Sequence, residues 1–131
     1  MNNYSFNNLL KGVIATFVVI ALSCCGSKKQ VKPLVEQFLT DNLKENNFSN
    51  LSVETLDSTF FITDSLLTDL QQKSAKNPLL RSDFRYPKTV VSKKKYFVNV
   101  KYNLPDGKEQ NQTFYIDEHL EHVIAFKDNM K

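Results

Sequence analysis

The chain has 131 residues, 41% of them hydrophobic, with 17 basic against 14 acidic side chains and a formal net charge of +3 at pH 7. That length makes a single domain once a leader is set aside, and a charge so near balance, without a long basic block, gives nucleic acid nothing to hold. The two cysteines are the adjacent Cys24 and Cys25, so the sequence from Gly26 onward carries neither disulfides nor thiolate-bound zinc and must be held by packing alone.

Met1 to Lys11 contains one basic side chain and no acidic one, and Gly12 to Leu22 follows without a charge. As a helix that run would span about 16 Å, too short to cross a bilayer. A weakly positive leader, an apolar run and small residues before a cysteine, in this order, are the parts of a cleaved secretory signal peptide, here residues 1–23. The end of the run, Ile20-Ala21-Leu22-Ser23-Cys24, resembles the lipobox of bacterial lipoproteins. The resemblance implies that Cys24 is the lipid attachment site, acylated on its thiol and left as the new amino terminus after cleavage behind Ser23. Ser23 suits the small position before the cut better than Cys24 does, which assigns Cys24 rather than Cys25. One acyl chain holds a protein marginally, at roughly 0.8 kcal/mol per buried CH2, whereas two or three anchor it for practical purposes permanently. The competing readings are an uncleaved anchor and an ordinary signal peptide with a coincidental cysteine pair.

The same resemblance implies a place in the cell envelope of a Gram-negative bacterium, with membrane lipid as the first partner through Cys24 and an envelope protein of unknown identity as the second. Cys25-Gly26-Ser27-Lys28-Lys29 lacks the aspartate that retains some lipoproteins at the inner membrane and the acidic run that exports others, which points to the outer membrane facing the periplasm. Residues 24–30 read as the acylated cysteine and a short linker, and residues 31–131 as one domain.

Along that domain, Val31, Leu34, Val35, Phe38, Leu39 and Leu43 recur at helical spacing, with Pro33 expected in the first turn and Asn46-Asn47 as the stop. Leu51, Val53 and Thr55 alternate with polar residues and lead to Thr59-Phe60-Phe61-Ile62, predicting one long strand or two with a bulge near Asp57. Thr63-Asp64-Ser65 caps a second helix from Leu66 to about Lys76, with Leu66, Leu67 and Leu70 inward, and Asn77-Pro78 ends it. Leu79 to Ser92 has no clean period and reads as loop, with a short strand at Thr89 to Val91. Tyr96, Val98, Val100, Tyr102 and Leu104 then alternate strictly with Phe97, Asn99, Lys101 and Asn103. Pro105-Asp106-Gly107 turns the chain into a second strand, Gln112 to Ile116. Asp117 to Leu120 turns it into a third, His122 to Phe126.

The fold class expected is therefore α+β, with an amino-terminal helix on a curved antiparallel sheet, a second short helix and a carboxy-terminal three-stranded meander. This order of elements resembles the cystatin-like and nuclear-transport-factor-2-like architectures. The QxVxG hairpin motif of the cystatin inhibitors is absent, so the resemblance implies no protease inhibition.

Chemistry is sparse. Gly26 and Gly107 are the only glycines after the cleavage position, neither sits in a phosphate-binding loop, and no GxSxG elbow exists. Asp117-Glu118-His119-Leu120-Glu121-His122 holds both histidines. In a helix His119 and His122 would share a face and, with Glu118 or Glu121, hold a divalent metal; in a hairpin they point apart and the segment is a solvated turn. Tyr96, Tyr102 and Tyr115 with Phe97, Phe114 and Phe126 either pack as core or line the concave side of the sheet as a ligand pocket. Lys93-Lys94-Lys95, with Lys88, Arg85 and Arg81, reads as a solvated loop or a partner site. No catalytic residue and no cofactor is expected. The function expected is a non-catalytic binding or structural domain of the envelope; a small ligand-binding module or enzyme, and an inhibitor or immunity protein, are the alternatives.

Overall fold

The computed structural model describes residues 26–88 and 92–129. The signal peptide, Cys24 and the short strand expected at Thr89 to Val91 lie outside the described residues. The architecture is α+β: helix α1 (Gly26–Asn42), strands β1 (Ser49–Val53) and β2 (Asp57–Thr59), helix α2 (Asp64–Ala75), and strands β3 (Lys95–Asn103), β4 (Glu109–Ile116) and β5 (Val123–Asp128). The five strands form one antiparallel sheet in the order β1-β3-β4-β5, with β2 also on β3.

The period-two pattern of β3 decides where the core lies. Val98, Val100 and Tyr102 are buried to 1% exposure or less, and across the sheet Val98 faces Phe114, which faces Phe126. α1 covers this face through Val31, Val35 and Leu39, and Leu43 just past its end continues the stripe, each exposed by 2% or less. Phe38 closes it, meeting Phe114, Phe126 and Phe84 edge-on at 5.6, 6.0 and 5.6 Å, while Phe114 and Phe126 stack at 5.4 Å. On the opposite face Tyr115 and Ala125, with Ile124, gather against Leu67 of α2.

Several expectations need correction. α1 begins at Gly26, so residues 26–30 are helical rather than an extended linker, and Pro33 lies inside the helix. An interior proline costs about 3 kcal/mol; the helix continues because Val31 on one side of it and Val35 on the other are both buried. It ends at Asn42, before Asn46-Asn47, because the 79–81 loop takes over its last groups: Lys44 N donates to Leu79 O at 2.9 Å and Arg81 N to Asn42 O at 2.9 Å.

The stretch from Leu51 to Ile62 is two strands, β1 opposite Val100 to Asn103 and β2 opposite Lys95 to Phe97. The irregularity sits at Asn50, with φ of 54°, rather than at Asp57. β2 stops at Thr59 because its partner begins at Lys95, so Phe60 and Phe61 leave the sheet despite their β propensity. In α2, Thr63 Oγ1 accepts from Leu66 N at 3.2 Å as expected of a cap, but Leu66 itself is 40% exposed. The inward stripe is Leu67, Leu70, Gln71 and Ser74, and its two polar members are satisfied: Gln71 Nε2 donates to Ile124 O at 2.8 Å, and Ser74 bonds to Leu70 O and to the Tyr86 hydroxyl.

The meander stands. Leu104 to Gly107 closes through Gly107 N to Leu104 O at 2.9 Å, and Gly107, at φ of 87°, takes a left-handed position that any side chain would strain. β4 starts at Glu109, earlier than Gln112, because the turn brings Glu109 opposite Asn103.

Leu39→Ala should lower stability by about 2–5 kcal/mol through the cavity it leaves, read as a fall in the urea midpoint. At the exposed position Leu66→Ala should change it by under about 0.5 kcal/mol. Burial pushes the Tyr86 hydroxyl up from 10.0 to about 12, against the opposing effect of its Ser74 hydrogen bond. The folded chain therefore keeps a proton that the unfolded chain loses near pH 10, so this contribution is whole below about pH 10 and drains away as pH rises to about 12. Tyr86→Phe should flatten that part of the alkaline decline in the urea midpoint while leaving the share of Tyr102, whose pKa burial also raises.

Candidate functional site

The densest polar constellation among the described residues is the β4–β5 turn. β4 delivers Asp117 into a 7% exposed position, and the turn wraps around its carboxylate. Oδ1 accepts from Glu121 N at 2.7 Å and His122 N at 3.3 Å, while Oδ2 meets His122 Nδ1 at 2.9 Å. Asp117 N donates to His122 O at 3.1 Å, Leu120 N donates to Asp117 O at 3.1 Å, and Leu120 takes a φ of 57° to close the loop. The short aspartate chain satisfies donors that an α-helix would have paired internally. With the carboxylate accepting Nδ1–H, a neutral His122 ring carries its lone pair on Nε2.

The group that converges is thus Asp117, Glu121 and His122, each offering a ligand atom within 4.8 Å of the others. His119 is exposed on the turn and stands outside that group, so the pairing of His119 with His122 is not formed. A cation here would compete with the three hydrogen bonds already made to Asp117, two of them from backbone. Chemically the arrangement is an aspartate-oriented histidine, and no serine, cysteine or threonine hydroxyl or thiol bonds to it among the described residues. His122 borders a shallow hollow of about 260 Å³ between α1 and the loop after α2, where Leu34, Asp41 and Arg85 also lie.

The six aromatics, read as core or as the lining of one concave side, pack as core on two faces. Tyr102, Phe114 and Phe126 are buried under α1 with Tyr96 packed beside them, whereas Phe97 and Tyr115 belong to the opposite face with α2. Sequence neighbours on a strand point to opposite faces, so Tyr96 and Phe97, or Phe114 and Tyr115, cannot share a wall. The Tyr102 hydroxyl donates to Gln112 Oε1 at 2.9 Å, and Gln112 Nε2 donates to Asp128 Oδ1 at 2.8 Å. Burial foremost, then the charge of Asp128, pushes the Tyr102 hydroxyl pKa up and keeps it protonated. Among the described residues no buried side-chain nitrogen or oxygen lacks a hydrogen-bond partner.

The basic stretch does not form one solvated loop. Lys93 is exposed and Lys94 lies 5.0 Å from the centre of the Tyr96 ring. Lys95, 1% exposed, donates from Nζ to Ile62 O and Ser92 O, each at 2.9 Å, and Arg85 folds back on Phe84 O at 2.6 Å. What sequence reasoning missed is the exposed pair Phe60 and Phe61, 65% and 88% accessible; their exposure follows from the pairing limit at Lys95, a long-range register that period and propensity do not carry.

No helix among the described residues is long and apolar enough to cross a membrane. Comparison of the chain with protein-family models, with curated proteins and with solved structures gave no match. The functional reading therefore rests on the residues themselves.

Zinc titrated into the full chain should give no saturable heat below the micromolar range, since each Asp117 oxygen is already committed. A saturable heat abolished by His122→Ala would overturn that expectation.

Proposed function

We propose that this protein is a lipoprotein of the Gram-negative envelope, held by acyl chains on Cys24 at the periplasmic face of the outer membrane, whose domain is a non-catalytic binding or structural unit of cystatin-like or nuclear-transport-factor-2-like design. The anchor is supported by the Ile20-Ala21-Leu22-Ser23-Cys24 pattern and by the confinement of both cysteines to that point. The non-catalytic role is carried by one observation: the space between α1 and the sheet, where a ligand would sit in a fold of this order, is filled by Phe38 against the Phe114 and Phe126 stack. A pocket enzyme needs a concave site with polar groups held ready for a substrate; here the buried polar groups bond to one another.

Two observations favour other readings. The hollow beside His122 and Arg85 suits a small-ligand module. The protruding Phe60 and Phe61 suit an inhibitor or immunity protein that grips another chain.

Cys24→Ser should move the protein from the membrane fraction to the soluble fraction, and the native chain should show a mass gain from acyl groups at its new amino terminus. An unmodified front end would sink the anchor. Crosslinking and pull-down of the acylated chain from membranes should recover a discrete envelope partner, and an empty result turns attention to the hollow at His122.

A further inference from the structure

We draw no further inference here: the strongest candidate, the exposed Phe60–Phe61 pair in the loop between β2 and α2, is an apolar patch, and nothing among the described residues shows what covers it.

Discussion

The fold depends on one aromatic junction. Phe38 reaches from α1 onto the stacked rings of Phe114 and Phe126 and touches Phe84 from the loop after α2, so helix, central strand, last strand and loop meet at a single point. Each such pair adds roughly 0.5–1.5 kcal/mol beyond the area it buries. No disulfide supports these contacts, since the cysteines end at Cys25. The junction also fills the space between α1 and the sheet, so the same residues set both the stability and the solidity of this layer.

Around that junction the buried polar groups act as clamps. Asp117 gathers the β4–β5 turn, Lys95 ties the β2–α2 loop to the start of β3, and Gln112 links Tyr102 to Asp128. Each would look like a site if only its residue type and burial were considered. Their partners show a structural role for each, because every one of these bonds closes within the fold.

How much of this was legible in the sequence varied with the range of the cause. Local causes read well: the alternation from Tyr96 to Leu104, the Thr63 cap and the Pro105-Asp106-Gly107 turn all act within a few residues. The core roles of Leu80 and Phe84 did not, because they lie in an aperiodic loop and are buried by contacts to α1. The burial of Lys95 and the release of Phe60 and Phe61 depend on where β3 starts relative to β2, a register between segments far apart in the chain. The Asp117 to His122 segment was legible as a cluster on a hairpin turn, but its pairing was not: the turn joins His122 to Asp117 and leaves His119 aside. The division of the aromatics between two faces, by contrast, follows from period two and was there to be read.

The two margins of the sheet differ in kind. Along β5, Gln71 takes up Ile124 O, so α2 occupies a group that another strand would seek. Along the other margin the strand is broken between Val53 and Asp57 and distorted at Asn50. Neither border offers a long straight ladder for a neighbouring copy to extend. Molecules of this kind can be crowded side by side without zipping into continuous β-structure.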